Sequence, residues 1–277
     1  MVKSLKHLFF LLKTNKIEME EILNNIDKYY YSYTKPKKNP DGSNKTKNGK
    51  VIGREINPSI GRLKQIQTKI KNNILKEIRM PDFIQGGVKG RDNISNANYH
   101  KGNKYFFTTD LINFFPSIKY KDVYAMFIKF GFSQDVSSKL TKLTTFNYSV
   151  PQGIPTSTFI ANLVTLSADN SFLKLCKIHE LKYTRFVDDL SFSSKRDFKE
   201  LVPEIMKIIS ESEFRVNHKK THYKIGPKDI TGIIVKNNSV KPINEIFVKL
   251  KLTTNEKTKI SLTNYINRVM NSSLKHK

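Results

Sequence analysis

Residues 182–194 read KYTRFVDDLSFSS, and the reading of the fold turns on them. Two short runs rich in aromatic and β-branched residues flank Val187-Asp188-Asp189, which predicts two strands around a tight turn carrying two carboxylates. Upstream, residues 104–111 (KYFFTTDL) are also apolar and β-branched, and they predict a buried strand that ends on Asp110. Asp is depleted in strands, and a carboxylate held close to a core is costly unless something neutralises it. Three carboxylates in one region repel one another. Divalent cations remove that repulsion, and hard oxygen ligands suit Mg²⁺. Two such ions about 3.5–4 Å apart can activate an attacking hydroxyl and stabilise the leaving oxygen of a phosphoryl transfer. An Asp-Asp pair taken alone also has a plainer reading, because Asp is common in hairpin turns.

Working outward, residues 3–31 predict helix, with an apolar patch followed by Glu18, Glu20 and Glu21. Residues 34–50 are rich in Lys, Asn, Pro and Gly without apolar periodicity, which predicts a flexible basic loop or the tip of a β-ribbon. Leu63, Ile66, Ile70, Ile74 and Ile78 follow helical spacing up to Pro81. Helices are expected over 120–131 and 133–145, a turn over 150–157, and a long, mostly apolar helix over 158–178. Beyond the hairpin, a helix fits 197–213 and strands fit 221–225 and 230–235. The tail from Lys241 is basic and reads as helix with a loop. Strands alternating with helices around a central hairpin give an α+β domain with helices on an antiparallel sheet.

The 49 Lys and Arg residues exceed the 24 Asp and Glu residues by 25. Such an excess repels itself in a compact fold unless a polyanion neutralises it, which points to nucleic acid or an anionic membrane. Cys176 is the one cysteine, which excludes an intramolecular disulfide and a cysteine-based zinc site and suits a reducing cytoplasm. No run approaches the roughly 20 apolar residues of a spanning helix. A soluble, cytoplasmic protein without a membrane partner is the expectation.

Three further stretches give the acids a context. Asp110 opens Asp110-Leu-Ile-Asn-Phe114-Phe115-Pro116-Ser117-Ile118, and Phe186-Val187 precede the acidic pair. Between them lies Pro151-Gln152-Gly153-Ile154-Pro155-Thr156-Ser157. Together these motifs resemble the palm of the reverse transcriptases. Arg54, Ile56 and Pro58 with Leu63-Lys64-Gln65-Ile66-Gln67 are similar to the fingers segment of the bacterial enzymes. Lys89-Gly90-Arg91, then Asn96-Ala97-Asn98-Tyr99-His100, resembles the retron NAxxH element, and Ile230-Thr231-Gly232 resembles the retron VTG element. The resemblance, to retron-type reverse transcriptases, covers roughly residues 50–240. The chain departs from the usual YADD at Phe186-Val187, carries Thr158 where a proline is common, and is short for a thumb after Lys241.

The resemblance implies a right-hand polymerase fold. Its expected parts are an N-terminal helical extension (1–33), fingers (34–103), a palm with an embedded fingers segment (104–240) and a short basic thumb (241–277). It implies Asp110, Asp188 and Asp189 as catalytic ligands of two Mg²⁺ ions, with Mn²⁺ as an alternative. Phe115 falls where an aromatic packs under the sugar; a buried Phe beside the strand is the plainer reading, with Phe114 an equal candidate for the core residue. Gln152 and Gly153 are expected at the nucleotide, as are Arg54 with Lys47 or Lys50 at its triphosphate and Lys220, or Lys219 beside it, at the leaving pyrophosphate. Arg91, Asn96 and His100 are candidates for RNA contact, with hydrogen-bonded packing the other reading of His100. The implied partners are a structured non-coding RNA as template and primer, the DNA product and an effector protein in anti-phage defence. Two rivals stay open: another defence-associated reverse transcriptase with protein-primed or untemplated synthesis, and an RNA-binding scaffold without chemistry.

Overall fold

The aromatic and β-branched runs around Val187-Asp188-Asp189 form the expected hairpin in the computed structural model, which describes residues 1–39 and 42–273. The chain begins with helices α1 (Leu5–Leu12) and α2 (Lys16–Asn24). Strands β1 (Tyr33–Pro36), β2 (Thr46–Lys47), β3 (Lys50–Val51) and β4 (Gly53–Ile56) follow, then helices α3 (Gly61–Asn73) and α4 (Asn93–Tyr99). Next come β5 (Tyr105–Asp110), α5 (Phe114–Ser117), α6 (Tyr120–Lys129), α7 (Gln134–Thr144), α8 (Ser157–Val164) and α9 (Leu166–Ile178). The hairpin is β6 (Lys182–Phe186) and β7 (Asp189–Ser194), followed by α10 (Val202–Glu211) and β8 (His222–Ile225). The chain ends with β9 (Lys228–Ile230), β10 (Ile233–Val235), β11 (Val240–Pro242), α11 (Asn244–Leu252) and α12 (Glu256–Ser272). Contacts divide these elements into two compact units. One holds Met1–Arg79 and Asn113–Val164; the other holds Met80–Ile112 and the chain from Thr165 onward.

The first unit is built on the apolar stripe of α3, where Leu63, Ile66 and Ile70 are fully buried against neighbours that include α1 and α7. The stripe does not carry one helix to Ile78. Ile74 leaves helical geometry and Leu75–Glu77 form a single 3₁₀ turn. Residues 3–31 also break: Lys13 adopts a φ of 51° that closes α1, and the Asn15 side chain accepts the Glu18 N–H to start α2. Of the two readings of the basic stretch, the ribbon is the one observed. β1 pairs antiparallel with β4 and β2 with β3, while Pro40 and Asp41 lie outside the described residues.

In the second unit, the strand order β6-β7-β5-β8 is antiparallel throughout. The register aligns Tyr183, Phe192, Phe107 and Tyr223 in a row across one face. Phe172 of α9 packs on Tyr183 and Phe192 there, at ring-centroid distances of 5.2 and 5.3 Å. The pleat sends Phe106 to the opposite face, into a second core with Ile94 and Ala97 of α4 and Ile230 and Ile233 of a three-stranded sheet, β11-β10-β9. The expected single strand over 230–235 is thus two. Thr231 (φ 49°) and Gly232 (φ 84°) turn the chain, and Asp229 Oδ1 accepts the Gly232 N–H at 2.8 Å. The expected helix over 158–178 divides at Thr165, with α8 in one unit and α9 in the other. The sequence reading placed no helix at α4, which starts on a capping box between Asp92 and Ser95. No described helix is long and apolar enough to cross a membrane.

Candidate active site

The register that builds the sheet also gathers the acids. Asp110 sits directly opposite Asp189 across β5 and β7, and Asp188 occupies the turn, where its carbonyl accepts the Leu111 N–H at 3.0 Å. Burial, then the charges of Asp188 and Asp110, push the Asp189 carboxyl up to about 7. Lys220 places Nζ 2.8 Å from Asp110 Oδ2. Burial acts against that ammonium, but the Asp110 hydrogen bond and charge outweigh it, with Asp189 and Asp188 adding, and hold Lys220 above the usual lysine range. A cleft opens here, lined by Asp110, Asp189, Ser191, Lys220 and His222 and closed on one side by the β9–β10 tip, Lys228–Gly232.

The turn carrying the acids is held from two sides. Val187 has φ 60°, a left-handed conformation that a β-branched residue adopts at a cost of about 1–3 kcal/mol. The wholly buried Arg185 guanidinium donates to the Val187 carbonyl at 3.3 Å. Its other N–H groups fork onto Asp169 of α9, Nε to Oδ1 at 2.9 Å and Nη2 to Oδ2 at 2.7 Å. The Tyr183 hydroxyl donates to the same carboxylate at 2.7 Å. On the other side, the Arg185 N–H donates to the Phe83 carbonyl at 2.9 Å and the Gln85 N–H to the Arg185 carbonyl at 2.8 Å. Gly86 then abuts the turn so closely that a Cβ there would lie 2.6 Å from Val187 N. Sequence reading missed Arg185, Asp169 and Gly86 as site residues. The available signal was a charge inside an apolar strand and another inside a mostly apolar helix, each of which requires a buried partner.

Of the three RNA-contact candidates, Asn96 and His100 face the interior and Arg91 is half-buried. Arg91 donates to the carbonyls of Pro81, Ile84 and Met80 and to Asp82, so its guanidinium is committed to the 80–84 loop. Asn96 and His100 are 1% and 0% exposed, with hydrogen bonds to Thr184, Thr231 and Ser193. RNA contact by Asn96 and His100 is therefore corrected: no solvent reaches His100, and packing is the observed role of both.

The nucleotide candidates belong to the first unit. Arg54 is exposed on β4 and lines a basic cleft with Lys35, Lys37, Lys38, Lys45, Gln152 and Gly153. The four lysines were not anticipated, whereas Lys47 and Lys50 face each other across β2 and β3 and do not line it. Gln152 accepts the Asn57 N–H on its carbonyl at 2.8 Å. Gly153 has φ 119°, and a Cβ there would lie 2.9 Å from Ile56 Cγ2; the close approach that needs glycine is to the protein itself. Phe114 is buried and Phe115 is half-buried on α5, so Phe114 is the core residue of the pair. Tyr30, in the tyrosine run at 29–31, is a core residue too, stacked on Phe146 at 4.2 Å.

Asp110, Asp188 and Asp189 offer hard oxygen donors, and the protonation-prone Asp189 and the Lys220 ammonium show how strongly the cluster calls for positive charge. Among the described residues no three acids already converge on a single ion.

The sequence profile of the family "Reverse transcriptase (RNA-dependent DNA polymerase)" matches residues 36–259. The retron Se72 reverse transcriptase of Salmonella heidelberg (strain 579083-10) is 34% identical over 194 residues, 66% of this chain and 51% of that protein. The retron Ec86 reverse transcriptase of Escherichia coli is 29% identical over 250 residues, 85% of this chain and 73% of that protein. The chain thus spans about half the length of the Se72 enzyme. Among solved structures, telomerase from Candida albicans in complex with a fragment of telomeric RNA superposes with a TM-score of 0.53. That match is 10% identical and covers 91% of this chain and 56% of the telomerase chain, a likeness of fold alone.

Proposed function

The chain belongs to the reverse transcriptase (RNA-dependent DNA polymerase) family, is of the retron type and has the right-hand polymerase fold; from that premise we propose that it copies RNA into DNA. The observation that carries the reading is the juxtaposition of Asp110 and Asp189 across β5 and β7, with Asp188 in the adjoining turn and Lys220 on Asp110. Asp110, Asp188 and Asp189 are the residues that would hold two Mg²⁺ ions, which supply charge neutralisation and lower the pKa of the attacking 3′- or 2′-hydroxyl. The acids fix where the growing end reacts. Lys220, kept protonated by its acidic neighbours, neutralises charge that develops beside Asp110 as pyrophosphate leaves. Arg54 and the lysines of the basic cleft take the nucleotide phosphates, where a guanidinium gives forked contacts. Phe115 and Gln152 are assigned to the same nucleotide.

In this reading the basic ribbon belongs to the fingers, the β6-β7-β5-β8 sheet to the palm, and α11 with α12 to a short thumb. The net charge of +25 supports a nucleic-acid partner. Retron type favours a dedicated structured RNA as template and primer, DNA joined to RNA as product, and a defence role with an effector protein in the cytoplasm. The test is primer extension on an RNA template by the purified chain and its Asp110→Asn and Asp188→Asn variants. Loss of several kcal/mol of transition-state stabilisation predicts a fall of about 10³-fold or more with folding unchanged. Undiminished DNA synthesis by either variant would remove the acids from the chemistry.

A further inference from the structure

The hydrogen bonds around His100 have one consistent direction. The Asn103 amide donates to Ser193 Oγ at 2.6 Å, and Ser193 Oγ is 2.7 Å from His100 Nδ1. His100 Nε2 is 2.7 Å from Thr184 Oγ1, and Thr184 donates to Asn96 Oδ1 at 2.6 Å. Asn96 Nδ2 then donates to Thr231 Oγ1 at 3.2 Å. Because the Thr184 proton goes to Asn96, Thr184 can only accept from His100, which puts the imidazole proton on Nε2 and leaves Nδ1 to accept from Ser193. Every member thus has a single assignable role. Asn103, Ser193, His100, Thr184 and Asn96 are at most 5% exposed, and burial holds the His100 imidazole down to about 3, so it stays neutral.

The chain of bonds starts on the catalytic hairpin and ends on the tip that walls the acid cleft. Ser193 lies on β7 and Thr184 on β6, the two strands whose turn carries Asp188 and Asp189. Thr231, with Gly232, is one of the two positive-φ residues of the β9–β10 tip. A second tether reaches the same place, since Asn93 Nδ2 donates to the Thr231 carbonyl at 3.1 Å and lies 2.8 Å from the Tyr265 hydroxyl of α12. A buried, fully satisfied polar network of this kind fixes one arrangement, because any shift leaves a desolvated group unpaired.

We propose that Asn96, Thr184 and His100 are positioning residues that set the height of the Thr231-Gly232 tip over Asp110 and Asp189, and so the space in which the reacting strand end meets the acids. This rests on the polymerase reading for its catalytic consequence, but the coupling itself does not. Neither Asn96 nor His100 touches substrate; they act through Thr231.

The experiment follows the tip and the chemistry separately in Thr184→Val, Thr231→Val and the rescuing Thr184→Ser and Thr231→Ser. Hydrogen exchange of the amides over 229–233 reports the tip. Thr184→Val, two bonds away, should speed it about tenfold, and Thr184→Ser should restore it. In primer extension with an oligonucleotide primer, both Val variants should lose about tenfold in kcat with the KM for deoxynucleotide unchanged, and both Ser variants should recover it. The double Val variant should lose no more than either single one, since both break the same chain. Unchanged tip exchange in Thr184→Val would overturn the coupling. Fully multiplicative losses, or a fall in thermal stability that tracks kcat across all four variants, would reduce the network to packing. If the unmodified chain extends no primer while the tip still loosens in Thr184→Val, the polymerase reading fails and the coupling stands.

Discussion

The acid cleft of the second unit and the basic cleft of the first make opposite use of their side chains. Around the acids nearly everything is fixed. Asp110 and Asp189 are locked by strand register, Val187 is held at φ 60°, and Arg185 is wholly buried between Asp169 and the turn. In the basic cleft, Arg54, Lys35, Lys37 and Lys45 stand on a narrow ribbon with exposed or half-exposed side chains. On the proposed function, the contrast follows from what each cleft would do. Metal-assisted transfer loses rate steeply with small displacements, so its ligands need a rigid second layer. Capturing a triphosphate needs charge and reach, which long cationic side chains supply without a fixed pose.

The largest effect that sharpens this contrast is expected at Arg185. Arg185→Met leaves Asp169 charged and buried without its partner, which costs about 3–5 kcal/mol in such pairs, and releases the Val187 carbonyl. Chemical denaturation should show that loss, and primer extension should fall with it. A variant as stable as the original would mean that the acid turn needs no such support, and the two clefts would no longer differ in kind.

At Arg54 the same comparison predicts a smaller and different response. Arg54→Ala removes one charge-assisted contact worth about 1.5–3 kcal/mol, so the KM for deoxynucleotide should rise by roughly ten- to a hundredfold. Stability should hardly change, because the side chain is exposed. Steady-state kinetics at two salt concentrations checks it: the penalty should shrink as salt screens the cleft. A kcat loss at unchanged KM would place Arg54 with the chemistry and blur the division.

How far the sequence reveals each cleft follows from the same physics. The hairpin, the strand ending on Asp110 and the α3 stripe are legible because periodicity and local composition specify them. The acids are legible because a carboxylate in an apolar run has few benign explanations. Arg185 with Asp169, and the seat at Gly86, depend on contacts between residues about 16 and 100 positions apart, which no local pattern encodes. The break at Thr165 and the turn at Thr231-Gly232 were missed for a related reason: apolar character continues on both sides, and tertiary packing decides where the chain bends. The lysines of the basic cleft are scattered through a stretch without periodicity, and pairing of β1 with β4, continued by the Lys38–Asn44 bridge and the Lys45 N–H on the Lys37 carbonyl, is what assembles them.

The smallest effect is expected at His100, and it tests whether the rigid side of the comparison has a pH-dependent cost. Its imidazole is held down to about 3 by burial, with the Lys182 charge adding, whereas in the unfolded chain it titrates near 6.5. Between those values the unfolded state binds a proton that the folded state refuses. Stability from this site is therefore complete above about pH 6.5 and is lost as pH falls, by up to about 1.4 kcal/mol per pH unit. His100→Gln removes the titrating group while keeping a side-chain donor and acceptor. It should be less stable at pH 7.5, because the fit to Ser193 and Thr184 is imperfect, and lose less on going to pH 5 than the original does. Urea denaturation at pH 7.5, 6 and 5 measures both slopes. Carboxylates contribute equally to each chain, so the difference between slopes isolates His100. Parallel slopes would mean that water reaches the imidazole, and the network beneath the acid cleft would then be softer than its geometry requires.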